Sequence, residues 1–123
     1  LPEIECYPGK LNQVFMNILN NAIHAVIARK YRDGEGKVDI ETIPGKSEVQ
    51  IRIKDNGIGI PKQNLNKIFE PFFTTKEVGA GTGLGLSIVY GIINSHNGKI
   101  EIKSIENEGA EFIITLPVQP QRI

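Results

Sequence analysis

The chain has a single cysteine, Cys6, and no charge surplus: fourteen basic residues offset fourteen acidic ones. One thiol excludes an internal disulfide and any CxxC or His/Cys metal cluster. It suits a reducing compartment, and Cys6, alternating with Ile4, reads as a small buried apolar residue. Zero net charge removes any global pull toward nucleic acid or an anionic membrane. No apolar run approaches the ~20 residues of a membrane span. No secretory leader is expected, because Pro2, Glu3 and Glu5 stand where its charged and apolar regions would lie.

What is present is an ordinary globular composition, 40% hydrophobic and 23% charged over 123 residues. That is one domain, 1–123, with room for a single core. Glycine is the informative residue. Residues 55–60 read DNGIGI and residues 81–87 read GTGLGLS. Glycine serves where the backbone takes positive φ or approaches a ligand closely. Two such loops in one small domain point to a polyanion held by backbone N–H groups, with a nucleotide as first candidate.

Around these loops the periodicity changes along the chain. Ile4 and Cys6 predict a short strand ahead of a helix start at Pro8-Gly9. From Lys10 to about Ala28, the residues Leu11, Val14, Phe15, Ile18, Leu19, Ala22 and Val26 predict one apolar helix face. Residues 33–37 read as a loop. Val38 and Ile40, then Val49, Ile51 and Ile53, predict two strands joined by a turn at Pro44-Gly45. A short helix is expected over 62–68, followed by Phe69, Phe72 and Phe73 around Pro71. A glycine-rich loop, 76–83, leads into a second long helix from about Gly83 to His96. Gly98 is expected at its C′ position. Ile100 and Ile102, a turn at 106–109, and Phe112, Ile114 and Leu116 complete a second strand pair. Helices and strands sharing one core give an α+β class: a two-layer sandwich, the sheet mixed but mostly antiparallel, the helices on one face.

Two polar constellations stand out. Asn17, Asn21 and His24 recur at i, i+4, i+7, a narrow stripe expected roughly opposite the apolar face. A solvated face is the plain alternative. Against it, asparagine is a poor mid-helix residue, and an amide oxygen is a good hard donor for Mg²⁺. Asp55 shares parity with Val49, Ile51 and Ile53, so it should point into the core. A carboxylate there needs hydrogen bonds, and an exocyclic amine such as that of adenine would supply one. A simple Asp-Asn-Gly turn explains the glycine but not the parity. The 81–87 segment would offer helix N-terminal N–H groups to phosphate. It matches neither the Walker nor the Rossmann pattern, and no VAIK, HRD or DFG motif occurs.

Taken in order, LNQVFMNILNNAIHAV (11–26), DNGIGIP (55–61), IFEPFFTTK (68–76), GTGLGLSIV (81–89) and GAEF (109–112) form a recognisable series. The chain resembles the catalytic and ATP-binding domain of sensor histidine kinases, in the GHKL superfamily, with its Bergerat-type fold. The five stretches resemble that family's N, G1, F, G2 and G3 boxes, and they touch nearly the whole chain.

The resemblance implies ATP and Mg²⁺ as ligands. Asn21 would hold the metal, and Asn17 would assist metal or phosphate; these two are the implied catalytic residues. Asp55 would accept from the adenine amine, with Gly57, Gly59 and Ile60 at the base. Gly81, Thr82, Gly83, Leu84, Gly85 and Leu86 would supply N–H groups to the phosphates. The 74–81 loop resembles the family's ATP lid, from whose base Lys76 would reach a phosphate, and His24 stands where family members often carry a lysine or arginine. Ala110 stands where a hydroxyl residue is common.

ATPase relatives carry a glutamate where this chain has Asn17, which favours transfer to an external nucleophile over hydrolysis. That nucleophile would be a histidine on a separate dimerisation domain of the same kinase, with a cognate response regulator downstream. The alternatives are a non-catalytic module and a serine-kinase or ATPase relative. The resemblance also implies a further helix and strand ahead of Leu1, and a cytoplasmic location, free or as the cytosolic end of a membrane-bound sensor. It implies neither nucleic acid nor membrane as a direct partner of this domain.

Overall fold

The computed structural model describes residues 8–29, 35–70 and 85–118. Helix α1 spans Pro8–Ala28. Proline fits a helix's first turn, where its missing N–H would lack an intrahelical partner anyway. Leu11, Val14, Ile18 and Ala22 are buried, with Phe15 and Leu19 packed beside them. Strands β1 (Val38–Pro44) and β2 (Glu48–Asp55) form a hairpin. A single 3₁₀ turn at Lys62–Asn64 replaces the helix expected over 62–68, and hydrogen-bonded turns continue to Glu70. Pro61, at its N-terminal end, adopts an extended ψ of 139°.

Helix α2 spans Gly85–Ser95. It buries Val89, Ile92 and Ile93, whereas Ile88, expected on the apolar face, is exposed. The helix stops in a Schellman motif. Gly98 N donates to the Ile93 carbonyl and Asn97 N to that of Asn94, both at 3.0 Å. The left-handed C′ residue is Asn97, with φ 59°, not Gly98. Asparagine tolerates that region. Gly98 meets a different need, since a Cβ there would lie 2.6 Å from the Thr115 carbonyl oxygen.

Strands β3 (Lys99–Ile105) and β4 (Gly109–Pro117) form the second hairpin. The sheet order is β1-β2-β4-β3, and every pairing among the described residues is antiparallel. The strand expected at Ile4 and Cys6 lies outside the described residues. Val49, Ile51 and Ile53 of β2 and Phe112, Ile114 and Leu116 of β4 face the helices and close the core with α1 and α2. No helix among the described residues is long and apolar enough to cross a membrane.

Candidate nucleotide site

Position 55 sits where the central strand β2 leaves the sheet. Its parity places it inward as expected, and it is only 4% exposed. Gly57 N donates to its Oδ1 at 2.8 Å. Burial pushes the Asp55 carboxyl above its ordinary 3.8, and backbone N–H bonds from Gly57 and Ala110 oppose that rise. The register sets Asp55 opposite Ala110 on β4 and Val38 on β1.

The loop after Asp55 is braced from three sides. From α1, the Ala25 carbonyl accepts Ile58 N at 3.1 Å, and Arg29 Nη1 donates to the Asn56 carbonyl at 2.7 Å. From residues 35–37, Lys37 N donates to Asn56 Oδ1, and Asn56 Nδ2 donates to the Glu35 carbonyl. From the β3–β4 hairpin, Asn107 N donates to the Ile58 carbonyl and the Ser104 hydroxyl accepts Ile60 N, both at 2.6 Å. Gly57 and Gly59 are set by this bracing. A Cβ on Gly57 would lie 2.5 Å from the Ala25 carbonyl carbon, and Gly59 has φ +71° and abuts the Ile105 carbonyl.

Asn17 lies elsewhere on α1. Its Nδ2 donates to the Gly85 carbonyl at 3.3 Å, joining positions 68 residues apart at the first turn of α2. The asparagine stripe is therefore not opposite the buried face. At ~100° per residue it lies roughly a quarter-turn from that face, on the side toward α2. Asn17 and Asn21 are half-buried, while His24 is exposed. Gly85 and Leu86 open α2, with Leu86 packed on the core. Ile60 also packs on the core. Lys76, Gly81, Thr82, Gly83 and Leu84 lie outside the described residues.

The structure thus brings Asn17 to the start of α2 and the loop after Asp55 to the end of α1. Ala25, which anchors the loop, is eight residues beyond Asn17, or ~12 Å along a helix. No three His, Cys, Asp or Glu side chains converge as a metal cluster among the described residues. Arg29, Ser104 and Asn107 do not stand out from motif reading. Ser104 carries the same signal as Asp55, a polar residue in phase with the inward Ile100 and Ile102 of its strand.

Comparison with known proteins bears on the family and the fold. Residues 6–120 match the model of the family described as histidine kinase-, DNA gyrase B- and HSP90-like ATPases. Sporulation kinase E of Bacillus subtilis is 44% identical over 119 residues, covering 97% of this chain and 15% of that protein. Sensor histidine kinase ZraS of Escherichia coli O157:H7 is 39% identical over 122 residues, covering 99% of this chain and 25% of that one. The nucleotide-free catalytic domain of histidine kinase ThkA has a TM-score of 0.78 at 38% identity, covering 95% of this chain and 73% of that one. The chain spans a quarter or less of the length of these two curated relatives.

Proposed function

The chain belongs to the histidine kinase-, DNA gyrase B- and HSP90-like ATPase family, and from that premise we propose that it binds Mg-ATP and supplies the γ-phosphate for histidine phosphorylation in two-component signalling. The histidine kinases among its relatives support the kinase reading over the others in the family. The observation that carries it is Asp55. A carboxylate kept in the core at a strand end is an acceptor held for a specific donor. The exocyclic amine of adenine is that donor in this reading.

The other roles follow from position. Asn17 directs its amide nitrogen at Gly85, so Oδ1 is the end of the amide that suits a hard cation. Asn17 and Asn21 would hold Mg²⁺, whose chemistry is to neutralise charge on the phosphate oxygens. The first turn of α2, with Gly85 and Leu86, would present N–H groups and the positive helix end to phosphate. Gly81, Thr82, Gly83 and Leu84 would extend that cradle, with Lys76 and His24 as polar neighbours of the phosphates. Positioning and charge stabilisation would then carry most of the catalysis. The acceptor histidine would lie on the dimerisation domain of the full-length kinase, in the cytoplasm, with a response regulator receiving the phosphoryl group.

Calorimetric titration with ATP, with and without Mg²⁺, tests this on the wild type and Asp55→Asn. Hydrogen bonds to charged groups contribute ~1.5–3 kcal/mol, so the substitution should weaken ATP binding by at least ~10-fold. Undiminished binding by Asp55→Asn would remove the adenine assignment.

A further inference from the structure

Ser104 lies on β3 directly across from Ala110, and its side chain does more than fill space. Its hydroxyl accepts Ile60 N at 2.6 Å and donates toward the Gly109 carbonyl at 3.1 Å, with the Ile60 carbonyl at 3.4 Å. One oxygen thus ties the last residue of the DNGIGI loop to the start of β4. That junction is crowded. Gly109, with φ +135°, abuts the Asp55 carbonyl, and Gly59 abuts that of Ile105. Ile60 N belongs to a loop, where no strand partner satisfies it, and leaving such a donor unmade is costly.

We infer that Ser104 is a positioning residue for base recognition: its hydroxyl fixes Ile58–Ile60 against the β3–β4 hairpin and so fixes where the adenine edge meets Asp55. The inference rests on the nucleotide reading above. Ser104 acts through the loop and touches no phosphate, so its effect should fall on the base and spare the triphosphate.

The test compares wild type, Ser104→Ala and Ser104→Thr by three measurements. These are calorimetric affinity for Mg-ATP, affinity for Mg-tripolyphosphate, and residue-resolved hydrogen exchange at the Ile60 amide without nucleotide. Ser104→Ala should speed Ile60 exchange and weaken ATP binding, each by ~10-fold, the scale of one lost hydrogen bond. Its tripolyphosphate binding should be unchanged. Ser104→Thr, which restores a hydroxyl, should return both quantities to within ~3-fold of wild type. Ser104→Cys gives the same comparison if the alanine variant does not fold. Equal losses for ATP and tripolyphosphate would mark general unfolding and overturn the inference, as would unchanged Ile60 exchange. A wild type that binds ATP beside an unresponsive Ser104→Ala removes this inference alone. A wild type that binds no ATP, with Ile60 exchange still responsive, removes the nucleotide reading and the base-positioning role with it.

Discussion

Asp55 gives the residue scale a pH signature. Its folded-state pKa is raised above 3.8 by burial, against the pull of the Gly57 and Ala110 N–H groups. Between 3.8 and the raised value the folded chain binds more protons than the unfolded chain. Stability therefore falls as pH rises through that window, and the loss is complete above it. Asp55→Asn removes the titration. The unfolding free energy of wild type minus that of Asp55→Asn should decline as pH rises above 3.8 and then level off. Urea denaturation of both proteins across that range checks it, and a flat difference would contradict the buried-carboxylate account. Strand parity alone made Asp55 legible in the sequence. The same arithmetic applies to Ser104 but carries less weight there, because a serine facing inward is common where a carboxylate is not. The glycines were legible as special but not in their immediate cause. Gly57 is shaped by the backbone of α1, a neighbour 32 residues away in sequence that no local pattern reveals.

At the scale of elements, the end of α2 makes the sharpest case. Local rules favour glycine at a left-handed C′ position, and an Asn-Gly pair offers two candidates one residue apart. Asn97 takes the αL position because Gly98 is needed bare beneath the Thr115 carbonyl. Asn97→Ala should therefore cost a fraction of the ~1–2 kcal/mol left-handed penalty, because alanine keeps the Cβ but lacks the short polar side chain by which asparagine offsets it. Asn97→Gly should be tolerated at that position. Denaturant midpoints with unchanged slopes would show it. The two hairpins were legible because their turns carry Pro-Gly and Asn-Glu-Gly between alternating apolar runs. The pairing of β2 with β4, which builds the centre of the sheet, was not legible from any single segment. It joins strands separated by a whole helix, and only the shared inward parity of Ile53 and Phe112 hints at it. The tilt of the asparagine stripe toward α2 was hidden for the same reason. Helical spacing gives relative angles on α1, whereas the position of α2 is a tertiary fact.

For the whole molecule, the proposed function predicts a division of labour. His96 caps its helix, with Nδ1 at 2.8 Å from the Ile92 carbonyl oxygen, and His24 is an exposed side chain of α1. Neither is placed as an acceptor in the proposed mechanism. Incubated with γ-labelled Mg-ATP, the chain alone should retain no acid-labile label. Added dimerisation domain bearing the acceptor histidine should become labelled, and label on the chain itself would count against the reading. The fold class was legible because patterning, turns and glycine positions agree with one another. The brace on the 55–60 loop has a further consequence, in the order of synthesis. Ile60 and Ser104 are 44 residues apart, a gap of a few seconds at ~5–20 residues per second on the ribosome. Until the β3–β4 hairpin emerges, the nascent loop carries Asp55 without its clamp or its Ala110 donor. Nucleotide recognition would thus wait on the β3–β4 hairpin, although Asp55 and Asn17 are made before it.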